Sequence, residues 1–514
     1  QAQPEAHAGR YHTLFTVKAA SPPMAHARAV LLAACAAGAA ALKSKPLFGR
    51  SGLLAQIHEE KIEPRRLPLG QHYWPHARGQ VPFYGVANFV GPVDMNSSLA
   101  WSWHHPAGRY GTVVVGGALI DGQYNIYVAS DDGIRKFGPA GGLKWHYKPT
   151  SDLVTCPSLM GTALFGNQHD GHAFALDLET GKELWKTRQA ASIGGDTAYV
   201  EAHAGVVVMG VKAPAPGAGG NQRVVGVSAM DGKTLWDYHV EPMVWNVMPM
   251  FPNDGTVVFM DITGGVHRVG LYNGTRIWHT PVPSATRSFS DGGVILGPDG
   301  SPYTCSNPGL SGGQEGQKGV LRKFRLRDGR ILWERELEYP CNSWPAVSPD
   351  GSVVVPAGSF LRLPRLYDAV RKGNWADAVA LHEKSMSMGE LERWDLGLPD
   401  LRAAIMAFDA RTGHPQWRYE VKPWGKVAAA GDEEGMLFRL KLHRQRAACL
   451  PAHWSAPTFA ADGTVYVGRT NGDLYAYSPR KGAATTYHTG TAPLHPGTSF
   501  AHGMMAYTDC DSLY

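Results

Sequence analysis

Side chains able to ligate metals or stack on a ligand gather at three places in this sequence, each just ahead of a short apolar run. Trp245 stands in EPMVWNVMP, Trp344 in YPCNSWPAV, and His453 with Trp454 in LPAHWSAP. Cys156 in VTCPSLM and Cys341 hold related positions. Histidine and cysteine are common transition-ion ligands, so one reading is a ligand platform or a metal cluster. The other reading is a narrow channel filled with bulky groups. Spacing favours the second, because no HxH, HxxxH or CxxC pattern brings two ligands together. His104 and His105 are adjacent, and neighbours on a strand face opposite ways, so they are poorly placed to share an ion. No metal site is assigned.

Acid–base chemistry has three candidate carboxylates, Asp152, Glu241 and Glu338, and each reads more simply as a solvated loop residue. No phosphate-binding glycine loop follows a strand and opens a helix, and no serine, cysteine or lysine nucleophile carries a known signature. The net charge of +5 over 514 residues comes without a basic block beside stacking aromatics, which leaves nucleic-acid binding unsupported.

The elements that would hold these residues are strands. There are 61 glycines, 36 prolines, 15 tryptophans and 20 tyrosines against 18% charged residues, a balance suited to short strands and tight turns. One phrase recurs: ALDLETGKELWK, VSAMDGKTLWDY, VGLYNGTRIWH, FRLRDGRILWE and MAFDARTGHPQWRY, with a looser IRKFGPAGGLKWHY. It reads as a strand, a glycine turn and a tryptophan strand. Upstream, APTFAADGTVYVGRTNGDLYAYSPRKG adds Asp-Gly and Asn-Gly hairpin turns between apolar runs. Each unit is therefore a four-stranded antiparallel meander.

Trp103, Trp145, Trp185, Trp236, Trp278, Trp333 and Trp417 mark successive units, and Tyr487 takes the same place in a last one. The steps are 42, 40, 51, 42, 55, 84 and 70 residues, the period of propeller blades. The two longest steps place insertions at 360–401, which has helical spacing, and at 422–452. The C-terminal SFAHGMMAYTDCDSLY lacks a tryptophan strand, whereas SSLAWSWHH is such a strand with nothing before it. Joined, they complete a blade and remove both free edges. The expected fold is all-β: an eight-bladed propeller over 97–514, closed by an N-terminal strand, with one helical insertion. Each tryptophan is expected to dock on the neighbouring blade.

These phrases resemble the tryptophan-docking repeat of the pyrroloquinoline-quinone (PQQ)-like propellers, over nearly all of the chain after residue 99. The resemblance implies fold more firmly than activity. The family includes quinoprotein alcohol dehydrogenases, which hold PQQ and calcium in the central funnel, and a bacterial outer-membrane assembly lipoprotein that binds neither and acts as a scaffold. Such dehydrogenases commonly carry adjacent bridged cysteines, and no Cys-Cys pair occurs here. The resemblance therefore implies a non-catalytic scaffold with a protein partner and no cofactor. The alternative is a PQQ- and calcium-dependent dehydrogenase oxidising alcohols or sugars. Trp245, Trp344, His453 and Trp454 are the funnel candidates in either case.

Residues 1–66 read as a targeting leader and extended arm. MAHARAVLLAACAAGAAALKSKP, with Arg28 before an apolar run at 29–42, has the pattern of a secretory signal. An organelle transit segment, plastid or mitochondrial, is the alternative. Either one points to a secretory, extracellular or organelle compartment. No later stretch is apolar enough to span a bilayer. Of six cysteines, Cys156, Cys305, Cys341, Cys449 and Cys510 follow the leader and read mostly as buried free thiols with one disulfide.

Overall fold

The computed structural model describes residues 66–514 except 93, 109–112, 195–197, 214–219, 283–287, 290–292, 309–317, 342, 360–367, 370–371, 388–400, 427 and 432–453. The leader therefore lies outside the described residues, as do most of both insertions, His453 and Cys449.

Strands follow one another as antiparallel meanders arranged as a propeller. Blade one runs Leu119–Asp121, Ile126–Ser130, Gly133–Phe137 and Leu143–Tyr147. Blade two has Ser158–Met160, Ala163–Asn167, His172–Asp177 and Glu183–Arg188, and blade three Ala198–His203, Val206–Val211, Asn221–Ser228 and Thr234–Val244. Blade four has Thr256–Met260, Val266–Gly270 and Arg276–Thr280, with Met250 bridging Val258 as an inner stub. Ile295–Leu296, Pro302–Pro308, Val320–Phe324 and Ile331–Glu336 form blade five. Blade six comprises Ala346–Val347, Ser352–Gly358, Leu401–Asp409 and Pro415–Trp424, and blade seven Thr458–Phe459, Val465–Arg469, Asp473–Ser478 and Ala483–His488. One helix stands among the described residues, Trp375–Ser387, inside the expected helical insertion.

Among the described residues there are seven blades, not the eight expected. The strands expected to make the eighth form two separate two-stranded ribbons, Ser499–Ala501 with Met504–Ala506 and Trp103–His104 with Ser512–Leu513. The closing strands are two or three residues long, too short to align as one sheet. The tryptophan strand ahead of blade one and the C-terminal strand do meet: Trp103 lies opposite Leu513 and His104 opposite Ser512. Tyr507 and Tyr514 exchange backbone hydrogen bonds of 2.9 and 2.8 Å, tying one ribbon to the other. One apolar cluster then runs from Ile126 and Phe137 of blade one through Phe500 and Leu513 to Tyr466 and Leu474 of blade seven.

Burial follows strand position. The second strands Thr256–Met260 and Val206–Val211 are buried throughout, since adjacent blades cover both faces. The outer strand Ile331–Glu336 alternates exposed and half-buried residues. Five outer-strand tryptophans donate their indole N–H to a carbonyl of the next blade: Trp145 to Leu178, Trp185 to Ala229, Trp236 to Leu271, Trp278 to Leu326 and Trp333 to Ala410, at 2.6–3.2 Å. The turn glycine lies against the ring. At Gly274, with φ +64°, a Cβ would stand 2.9 Å from Trp236. Trp417 instead packs its ring on Tyr477, 4.7 Å between centroids. In the closing unit the docking residue is Trp101 rather than Trp103. Trp101 donates to Pro139 at 2.9 Å and lies under Gly141, while Trp103 pairs with the C-terminal ribbon beneath the Arg135 guanidinium.

Candidate functional site

A propeller's ring axis is where a ligand funnel would open, and here the chain itself runs through it. His72–Trp74 hydrogen-bonds to the innermost strand of blade one. The Leu159 amide of blade two donates to Pro75 at 2.8 Å. His76 Nδ1 and Glu201 Oε2, on the inner strand of blade three, lie 2.5 Å apart, and the His76 ring packs on Phe251 at the inner edge of blade four. Tyr84 shares a buried apolar cluster with Ile295 of blade five and Val347 of blade six. Phe459 of blade seven donates to Gly85 and accepts from Ala87. Arg78 donates to the carbonyls of Pro457 and Pro496 at 2.5 and 2.8 Å, and to Thr458 Oγ1 at 3.3 Å. A segment this short reaches every blade only by lying on the axis.

The segment is folded back tightly. His76 and Gly79 exchange backbone hydrogen bonds, and Gly85 donates to Arg78. Trp74, Ala77, Arg78 and Tyr84 are all buried. Burial raises the Glu201 carboxyl, against the opposing pull of His76 and the Ala77 amide. Burial also brings the Arg78 guanidinium down to about 9, so it keeps its charge at neutral pH. The sequence reading ended the arm at 66 and began the propeller at 97, and so missed this plug.

The four funnel candidates are not brought together. Trp344 is buried in the same cluster as Tyr84 and meets Tyr199 edge-on at 5.3 Å between centroids. Trp454 is buried with Tyr475 and Val467 in a different cluster, with Arg469 over its ring. Trp245 is half-buried, and His453 lies outside the described residues. Asp152, Glu241 and Glu338 are exposed, and Glu338 pairs with Arg418. His104 meets Ser512 whereas His105 meets Asp132 at 3.1 Å, so the adjacent pair diverges. The cysteine expectation needs correction. Cys305 and Cys341 form a disulfide and Cys510 is disulfide-bonded, which leaves Cys156 as the free thiol among the described residues.

The connections divide unequally between the two ends of the ring. In a four-stranded meander, the link between second and third strands emerges at the same end as the link from the outer strand to the next blade. Residues 212–220, 309–319 and 359–400 are links of the first kind and 425–457 is one of the second. All connections between these strands longer than six residues, the helix-bearing one included, therefore begin and end at one face. The links at the opposite end have six residues or fewer.

On the long-connection side of blade four, three polar residues converge that the sequence reading did not single out. Asp261 follows the strand Thr256–Met260, and His267 and His279 face each other across the next two strands. Asp261 Oδ2 lies 3.1 Å from His267 Nε2 and 3.7 Å from His279 Nε2. Burial pushes the Asp261 carboxyl up, but its contacts with His267, His279 and Thr263 outweigh this and hold it well below the usual carboxylate range. Burial lowers the His267 imidazole.

Comparison with known proteins adds the family. The sequence model described as outer membrane protein assembly factor BamB matches residues 102–295. Together with the docking repeat and the ring of blades, this match supports the resemblance to the PQQ-like propeller family. A curated relative, outer membrane protein assembly factor BamB of Burkholderia pseudomallei, is 23% identical over 63% of this chain and 84% of its own length. Among solved structures, quinohemoprotein alcohol dehydrogenase from Comamonas testosteroni superposes with a TM-score of 0.56 at 14% identity, covering 86% of this chain and 80% of that one. BamB from Moraxella catarrhalis superposes with a TM-score of 0.50 at 15% identity, covering 78% and 98%. At such identities the likeness to solved structures is one of fold.

The funnel of this PQQ-like propeller does not fit the quinone and calcium of the family's dehydrogenases. A planar quinone needs an open slot, and Trp74, Ala77, Arg78 and Tyr84 fill the axis. Calcium takes six to eight oxygen ligands. Of the buried carboxylates beside the plug, Glu201 is engaged by His76 and Asp121, opposite His72, by Asn125 and Tyr127, while the plug itself brings the Arg78 guanidinium.

Proposed function

We propose that this PQQ-like propeller is a non-catalytic scaffold that engages a protein partner through the face carrying its long connections. The observation that carries the reading is the plug: residues 72–87 occupy the axis where a dehydrogenase would need its cofactor. Connections that differ from blade to blade suit recognition, because loops on a rigid ring tolerate length and sequence change. The Cys305–Cys341 disulfide supports an oxidising compartment, in keeping with a secretory or organelle lumen. No helix of the described residues is long and apolar enough to cross a membrane.

The test is to add PQQ and Ca2+ to the purified full chain and measure bound quinone by absorbance after dialysis, alongside dye reduction with a panel of alcohols and sugars. Neither stoichiometric quinone nor turnover is expected, and tight binding with turnover would establish the dehydrogenase reading instead. In parallel, replacing residues 360–400 with a short linker is expected to remove partners from a native pull-down. An unchanged set of partners would refute the role given to that face.

A further inference from the structure

We propose that Asp261, His267 and His279 form a binding site for a first-row divalent transition ion, with Zn2+ the ion that this donor set suits. Two imidazoles and one carboxylate are borderline ligands of the kind zinc takes, and they leave a fourth position open.

The geometry is prepared on three sides. Asp261 Oδ1 accepts from the Thr263 amide at 2.8 Å, the Thr263 hydroxyl at 2.6 Å and the Gly265 amide at 3.0 Å. That oxygen is fixed, and Oδ2 is turned towards the histidines. His267 Nδ1 lies 3.1 Å from the Tyr238 hydroxyl, an outer partner that directs Nε2 inward, as metal-ligating histidines require. His267 and His279 stand directly opposite on neighbouring strands, so the sheet register itself sets their separation. Ligand atoms from the three residues lie within 4.8 Å of one another. Bonds of about 2.0–2.2 Å in a tetrahedron put neighbouring ligands about 3.3–3.6 Å apart, a range that the separations of 3.1 and 3.7 Å bracket closely. Gly265 keeps the space clear: a Cβ there would stand 2.3 Å from Asp261 Oδ2 and 3.2 Å from His279 Nε2.

A plain Asp–His hydrogen bond accounts for His267 but not for His279. At 3.7 Å the His279 Nε2 is beyond hydrogen-bond distance of the carboxylate, and it has no hydrogen-bond partner among the described residues. An ion between them satisfies that atom. The two rings now stack at 3.9 Å between centroids and 10° between planes. Parallel rings cannot both direct in-plane lone pairs at one ion, so binding turns the His279 ring out of the stack. His267 is buried and held by Tyr238 and Phe259. His279 is a quarter exposed on the outer strand, which frees it to turn and gives the ion an entry path.

The test uses the full chain, purified without a histidine tag and stripped with chelator. Titration with Co2+ should develop the visible absorption of a tetrahedral site at one ion per chain, and Zn2+ should displace it. His279→Ala, on an outer strand, and Asp261→Asn should each weaken Zn2+ binding by about tenfold or more. Replacing the exposed His239 with alanine should leave it unchanged. Folding of each variant is checked by circular dichroism, and His279→Ala decides the matter if Asp261→Asn fails to fold. Absence of stoichiometric Co2+ and Zn2+ binding to the wild-type chain, or affinity within about threefold of wild type in folded His279→Ala, overturns the site.

Discussion

Truncating Trp74 to alanine asks whether residues 72–87 are an internal plug or a loose arm. The ring is 1% exposed, against Phe500 at 6.0 Å between centroids, and its face touches the turn at Gly79. A tryptophan buries roughly 150–250 Å². At about 25 cal/mol per Å² that is on the order of 4–6 kcal/mol, an upper bound because unfolded chains already hide some apolar surface. The indole N–H has no hydrogen-bond partner among the described residues, so truncation forfeits burial and leaves a cavity without orphaning an acceptor. The expected loss is therefore about 3–5 kcal/mol, the usual range for an aromatic removed from a core. Urea unfolding followed by far-ultraviolet circular dichroism measures it, with Leu69→Ala as a control, since Leu69 is 85% exposed three residues before the first strand. Leu69→Ala should move stability by less than about 0.5 kcal/mol. A loss under about 1 kcal/mol for Trp74→Ala would refute the plug, and with it the ground for excluding the quinone.

Two further outcomes test the ring itself. Gly274→Ala puts a Cβ where φ is +64° and the Trp236 ring is 2.9 Å away, so a loss of about 1–3 kcal/mol by urea unfolding is expected, whereas a neutral result would show that the glycine turn does not seat the tryptophan. Asp509 is buried in the closing ribbons, and burial, with Asp511 adding to it, pushes its carboxyl up to about 7. The folded chain then keeps a proton that the unfolded chain releases near 4, so stability falls as pH rises from about 4 to about 7, by roughly 4 kcal/mol at this site. Asp509→Asn should flatten that part of the urea-midpoint profile between pH 4 and 8, and an unchanged slope would refute the assignment.

The blades were legible because their signals are local. A turn glycine and the tryptophan just after it lie within one hairpin, and the same pair repeats from Gly181 to Gly413. Closure could also be read, since a tryptophan strand without predecessors and a meander without its last strand imply each other, and Trp103 does lie opposite Leu513. The choice between Trp101 and Trp103 could not. They are two apart, the spacing of one strand face, so only the approach of Gly141 decides which one docks. Strand length was equally hidden. Two-residue strands such as Ser512–Leu513 carry no periodicity, and an expected blade became two ribbons.

The plug was missed for a different reason. Its partners lie far along the chain: Arg78 reaches Pro457 and Pro496, and His76 reaches Glu201. No repeat or spacing within HYWPHARGQVPFYGV announces such contacts, although so many aromatic and apolar residues around a single arginine suit a buried segment better than a solvated arm. The blade-four cluster stands between these extremes. Counting outward from the Asn273-Gly274 turn as a two-residue hairpin sets His267 opposite Thr280, and the register shift between Arg268 and Val269 brings His279 there instead, so hairpin register alone places the two histidines within one residue of pairing. Searching for HxH and HxxxH looked along one strand, whereas a sheet assembles ligands across strands. Asp261 joins them only because the preceding turn folds its carboxylate back over Gly265, a contact that no linear spacing encodes. Local pattern therefore identified the scaffold, while both features that bear on binding arise where separate strands meet.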